Sequence, residues 1–263
     1  MTAWPREGGI HLRPGAVALH DAEWVAWPGT GLEGRDLGLA EVSGAVLAGQ
    51  HVRASGVPGG EGDWHCYDLD FEFVYVLVGS LELETRDGER HLLVAGSSFA
   101  HTAFLWHRDL QRSADLEVVR LTVPTAEQRF DGLDAALPAR STSGAPAAVY
   151  SSVAEGSAPA APEVEPDSVT WAERDLGTAG LTEGRIRLQV LEIRDTSVHR
   201  LPASQWLYVL GGTAEPSDDT AVALLTAGDS LSTDARSHAD RTGRYEFSPD
   251  FAVLTLSTGN GRL

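Results

Sequence analysis

The stretch Trp64-His65-Cys66-Tyr67-Asp68-Leu69-Asp70-Phe71-Glu72-Phe73-Val74-Tyr75-Val76-Leu77-Val78-Gly79 decides the fold. Within it, Phe71 to Leu77 is a run of apolar, aromatic and β-branched residues interrupted only by Glu72. A run of that length closed by a glycine reads as a strand that turns. Gly79 and Gly88 then bracket Ser80 to Asp87, a second strand running into an Asp-Gly turn. Outward from this hairpin the same texture recurs at Leu92 to Val94, Leu116 to Val123, Ile186 to Ile193, Trp206 to Leu210 and Phe251 to Leu256. Helical periodicity is poor almost everywhere, and 28 glycines and 13 prolines punctuate the chain. Many short strands between frequent turns predict an all-β sandwich or barrel.

The bulk composition narrows the function. The 263 residues carry 38 acidic and 20 basic side chains, a formal charge of −18, and the basic side chains include no lysine. Nucleic-acid binding needs a basic face for phosphates, and an anionic membrane surface needs the same, so neither is an expected partner. The single cysteine, Cys66, excludes an internal disulfide framework and a cysteine-only metal cage. No run approaches the roughly 18 apolar residues that cross a bilayer. Met1 to Arg13 lacks a basic-then-apolar signal layout. A cytoplasmic location is the expectation.

Residues 139–168 differ from the rest: Ala, Ser, Pro and acidic residues dominate. They cannot bury enough surface to offset ordering, and the segment reads as a linker between residues 1–138 and residues 169–263. The two sides match. Arg35-Asp36-Leu37-Gly38 recurs as Arg174-Asp175-Leu176-Gly177, Tyr75-Val76-Leu77-Val78-Gly79 as Tyr208-Val209-Leu210-Gly211-Gly212, and Leu92-Leu93-Val94-Ala95-Gly96 as Leu224-Leu225-Thr226-Ala227-Gly228. Three matches in the same order predict a duplicated β-domain.

The residues of the opening stretch resemble a known family. His65-Cys66-Tyr67, Glu72 and Gly79 are similar to the first cupin motif, with Tyr67 where the second histidine is usual. Gly96 to His107 is similar to the second motif, with Thr102 and Phe104 in place of its proline and glycine. The resemblance covers both sides of the linker and implies a bicupin: two double-stranded β-helix barrels of the jelly-roll type. It implies metal ligation by His65, Glu72 and His107, from two motif strands. One divalent ion per chain would follow, with Fe(II) favoured and Mn, Ni or Zn also admitted.

Alternation along a strand places His65 and position 67 on one face and Cys66 on the other. Tyrosine is a poor ligand until deprotonated, so either three groups hold the metal or a neighbour substitutes, His101 first and Asp68 or Asp70 next. A second register, Cys66-x-Asp68 with Glu72, also satisfies the spacing. Tyr67, His101 and Glu72 are the candidate catalytic groups. A carboxylate idle in an apolar strand is costly. Glu72 therefore needs a cation, water at a barrel mouth, or an arginine such as Arg53. His51, Phe99, Phe104 and Trp106 are the candidate pocket residues; His51 faces either the pocket or a neighbouring sheet. On the C-terminal side, His199-Arg200-Leu201 with Gln205 occupies the first-motif frame, and His238 falls one residue short of the second. A packing face or a dimer face is the expected role there.

Three functions follow. The first is a metal-dependent enzyme acting on a small organic molecule, most simply a non-haem iron oxygenase. The second is a metal-dependent isomerase, cyclase or decarboxylase. The third is a module that holds a small molecule without turnover. Fold alone does not choose among them. A homodimer is the assembly that the resemblance adds.

Overall fold

Each of the apolar runs becomes a strand. In the computed structural model, which describes residues 12, 15–17, 23–138, 147–153, 171–195, 200–202, 204–218, 224–232 and 244–259, the strands include Phe71–Val78, Ser80–Thr85, Arg90–Val94, Glu117–Val123, Ile186–Ile193, Trp206–Gly211 and Ala252–Thr258. The Asp-Gly turn forms, with Gly88 at φ 89°. Two four-residue helices, Leu39–Val42 and Thr178–Leu181, accompany the strands. No described helix is long and apolar enough to cross a membrane.

A seven-stranded antiparallel sheet runs in the order Ala148–Ser151, Ser98–His101, Phe71–Val78, Glu117–Val123, Ala48–Ala54, Leu32–Asp36, Val25–Trp27. A five-stranded sheet runs Arg129–Asp131, His65–Tyr67, His107–Arg112, Ser80–Thr85, Arg90–Val94. Side chains from both, among them Val52, Val76, Phe99 and Val118 against Leu83 and Leu93, share one core between the sheets. The remaining strands repeat the plan with a six-stranded and a three-stranded sheet, joined by a core containing Leu207, Val209, Val253, Ala214, Tyr245 and Phe247. The chain is thus all-β with jelly-roll-type barrels. Two strands cross the expected divisions: Gly15–Val17 pairs with Ser230–Ser232, and Ala148–Ser151, inside the segment read as linker, pairs with Ser98–His101.

The halves meet sheet to sheet. The seven-stranded sheet turns Phe71, Phe73, Val119 and Leu121 toward Ile186, Leu188, Trp206 and Leu254 of the six-stranded one. The repeated residues build this contact reciprocally. Arg35 donates to the carbonyl of Gly228 at 2.9 Å, and Arg174 donates to the carbonyl of Gly96 at 2.9 Å. Asp36 and Asp175 each accept the amide two residues on at 2.8 Å, closing matched turns in which Gly38 and Gly177 hold φ 73° and 74°. The internal repeat is thus an isologous interface written into one chain.

Candidate functional site

Strand parity builds the site. In Phe71–Val78, the odd positions Phe71, Phe73 and Tyr75 face the other half, which leaves Glu72, Val74 and Val76 for the barrel interior. In Glu117–Val123 the same rule turns Val118 and Arg120 inward. Ladder register then sets the neighbours: Glu72 stands opposite His101 on one sheet, and His65 stands opposite His107 on the other. All four line one cavity of about 740 Å³, together with Tyr67, Phe99, Asp109, Arg112, Arg120 and Arg129.

Each of the three histidines is anchored through Nδ1, at 2.9 Å from the carbonyl of Asp63 for His65, 2.9 Å from that of Thr102 for His101, and 3.1 Å from that of Leu105 for His107. A carbonyl only accepts, so Nδ1 carries the proton. In a neutral ring, as at His107, that leaves the Nε2 lone pair as the donor, the arrangement that orients histidine for a metal. The His65 and His107 rings lie 4.4 Å apart by centroid, and His101 and His107 5.1 Å. Burial lowers the pKa of His65, and burial followed by the neighbouring histidines takes that of His107 down to about 3. The His107 ring is therefore neutral at ordinary pH.

Glu72 is 5% exposed. Burial pushes its carboxyl pKa up, yet the Arg120 guanidinium and His101 outweigh burial and hold it well below the usual carboxylate range. Arg120 Nε donates to Oε1 at 2.6 Å, and the same guanidinium reaches Glu127 Oε2 at 2.5 Å. The arginine that stabilises Glu72 is therefore Arg120, and Arg53 pairs instead with Glu33. Oε2 of Glu72 lies 3.1 Å from Nε2 of His101, an ion-pair distance, with both atoms buried and the angles outside hydrogen-bond geometry. Two donor atoms at right angles, each about 2.1 Å from one ion, are about 3.0 Å apart. The pair has that spacing. Among the described residues, no set of three or more His, Cys, Asp or Glu side chains is already drawn together to hold an ion.

Tyr67 lies beneath two guanidiniums, with Arg120 at 5.4 Å and Arg129 at 6.0 Å from its ring centroid. Burial and Glu72 still raise its pKa to about 12, so it holds its phenolic proton at ordinary pH. Asp109 shares the wall, its pKa raised by burial against the pull of His65 and Arg112.

Several sequence expectations need correction. His51 is not a pocket residue: Gln50 and Val52 line the cavity, so parity sends His51 to the other half. There Arg35 and the Tyr208 hydroxyl lie 3.0 Å from its Nδ1, and Nε2 lies 2.9 Å from Glu117. Phe104 and Trp106 are buried in a separate cluster with Cys66 and do not line the cavity, whereas Phe99 does. Cys66 faces that cluster, its thiol raised by burial to about 11, which removes the cysteine register. Phe104 holds φ 59° where the motif has glycine, so the left-handed turn survives the substitution. On the C-terminal side, Gln205 Oε1 accepts the Thr258 amide at 2.8 Å and serves the sheet. His199 and His238 lie outside the described residues. Arg120, Asp109, Arg112 and Arg129 join the cavity beyond the residues the motifs mark, and the sequence signal for Arg120 is a lone charge on the inward face of its strand.

No family model matches the chain, and no curated protein matches it in sequence. Solved structures do match in shape. A Pseudomonas aeruginosa protein described as glyoxylate-induced has a TM-score of 0.61 at 13% identity, over 100% of this chain and 96% of that one. A deletion mutant of Bacillus subtilis oxalate decarboxylase OxdC has 0.56 at 13%, over 97% and 80%. The Escherichia coli pirin YhhW, in complex with nickel(II), has 0.55 at 13%, over 94% and 99%. These neighbours are cupin-family proteins, and the likeness establishes that this chain has the cupin β-barrel fold.

Proposed function

We propose that the N-terminal barrel, within residues 1–138, is a divalent-metal centre of three histidines and one glutamate, and that it acts on a small organic molecule. The observation that carries this reading is the buried pair Glu72 Oε2 and His101 Nε2, 3.1 Å apart at cis-ligand spacing and outside hydrogen-bond geometry. His65 and His107 complete the donor set from the facing sheet through their free Nε2 atoms. Two solved neighbours are metal proteins by description, oxalate decarboxylase with Mn(II) centres and pirin with nickel(II).

A bound ion would supply Lewis acidity and, as Fe(II), one-electron chemistry with dioxygen. The chain supplies the rest. Arg120 fixes the Glu72 carboxylate plane through Oε1 and leaves Oε2 for the ion. Tyr67 keeps its phenolic proton at neutral pH and can donate a hydrogen bond to a substrate oxygen. Val52, Val74, Val118 and Leu83 line the cavity with apolar surface that excludes water around the polar groups. Residues 169–263 scaffold this barrel through the interface between the halves.

The test is metal content and oxygen uptake on protein purified without chelator or nickel affinity. After anaerobic loading, one Fe(II) or Mn(II) per chain is expected. Dioxygen consumption with a substrate assigns an oxygenase; turnover without it assigns a lyase or isomerase. Failure to retain any divalent ion after loading overturns the proposal.

A further inference from the structure

The barrel cavity extends well beyond the histidines, and its far wall carries an arginine that none of the chemistry above uses. The strand His107–Arg112 pairs with Ser80–Thr85 and slips register between Asp109 and Gln111. Before the slip His107 and Asp109 face inward; after it Arg112, opposite the cavity residue Leu81, takes the inward place that parity would have given Gln111. Such a bulge re-aims a side chain.

Arg112 is held firmly. Its amide donates to the Gly59 carbonyl at 3.1 Å, and its NH2 group donates to the Thr30 carbonyl. A Cβ at Gly59 would come within 2.6 Å of Arg112 Cγ and 2.7 Å of Nε, so the glycine lets the loop close on the side chain. Nε is nevertheless buried with no acceptor. The other cavity guanidiniums are satisfied by acids, Arg120 by Glu72 and Glu127, and Arg129 by Asp131. Among the described residues no carboxylate pairs with Arg112. A guanidinium keeps its charge in any protein and matches a planar carboxylate with parallel N–H donors.

We propose that the cavity takes an elongated organic acid, its carboxylate on Arg112 and its other end beside His65, His101 and His107. The proposal names the substrate class for the metal reading and rests on that reading for the reacting end. Four residue steps along the partner strand, from Leu81 to Thr85, separate the two ends, roughly 14 Å at about 3.4 Å per residue. Between them lie Leu83, Val52 and Phe99, which suit a hydrocarbon body. Acids of several carbons are favoured over the shortest ones.

Isothermal titration of the full chain with butyrate, hexanoate, octanoate and 4-phenylbutyrate, each against its neutral amide, tests the proposal. The longer acids are expected to bind about tenfold or more tightly than their amides. Arg112→Gln is expected to bring that ratio near one, and Arg112→Lys to leave an intermediate ratio. No preference for any acid in the wild type, or an undiminished preference in Arg112→Gln, overturns it. If Arg112→Gln does not fold, the wild-type ratios and Arg112→Lys decide. Mn(II) binding measured on the same samples separates the two readings: acid preference without metal uptake refutes the metal centre alone, and metal uptake without acid preference refutes the acid site alone.

Discussion

Glu72 shows how one buried charge shapes a site. Arg120 satisfies one carboxylate oxygen and leaves the other facing His101. Arg120→Met removes the counter-charge from a buried carboxylate, and we expect a loss of about 3–5 kcal/mol in urea denaturation at pH 7. Saturating Mn(II) is expected to restore part of it, because an ion bound only to the folded chain stabilises by mass action. A loss below about 1 kcal/mol would show that Arg120 does not support Glu72. Much at this scale was legible. Histidines and a glutamate at motif spacing do share a cavity. Arg120 is harder to see because its strand also carries Glu117, and only parity shows that the two charges face opposite ways. The Phe104 replacement was legible as a departure but not in its effect, since its backbone keeps the left-handed turn.

At the scale of elements, parity and register do the sorting. The facing of His51 is not fixed by its own strand, because parity is relative; Gln50 and Val52 in the cavity wall decide it. Turns were the most readable elements, since glycine at positive φ has a local cause. Gly79 holds φ 75°, and a Cβ there would meet Ser113 Oγ at 2.2 Å and the Leu116 Cα at 3.0 Å. Gly79→Ala should therefore cost about 2 kcal/mol or more, combining left-handed strain with the clash. Its counterpart Gly212, with a Cβ 2.6 Å from the Phe251 Cα, should behave alike. Equal midpoints for wild type and variant in thermal melts would refute both. The register slip that turns Arg112 inward had no sequence signal, because a bulge is defined only by pairing.

Across the whole molecule, the repeat noted in sequence becomes the contact between halves. Tyr75 and Tyr208, matched in the repeat, take matched places beside Arg174 and Arg35. The symmetry breaks at His51, whose place opposite Arg35 corresponds to Val190 opposite Arg174. Burial and then Arg35 lower the His51 pKa to about 4, so the fold holds it neutral between Arg35, Tyr208, Glu117 and Trp24. The unfolded chain takes up that proton near pH 6.5. The contribution is complete above that pH and is lost as pH falls toward 4. About 2 kcal/mol of stability should disappear between pH 7 and pH 5 through this group. His51→Val should lose less over the same interval than the wild type by about that amount, measured by urea denaturation at both pH values. Identical pH slopes would refute the assignment.

Cobalt(II) titration followed by visible absorption tests the metal centre most directly. The cupin fold with Glu72 and His101 at ligand spacing predicts one ion per chain with nitrogen and oxygen ligands, and at least a ~10-fold affinity loss in His101→Ala and in His107→Ala. Cobalt that fails to bind, or that binds both variants as tightly as the wild type, would contradict it.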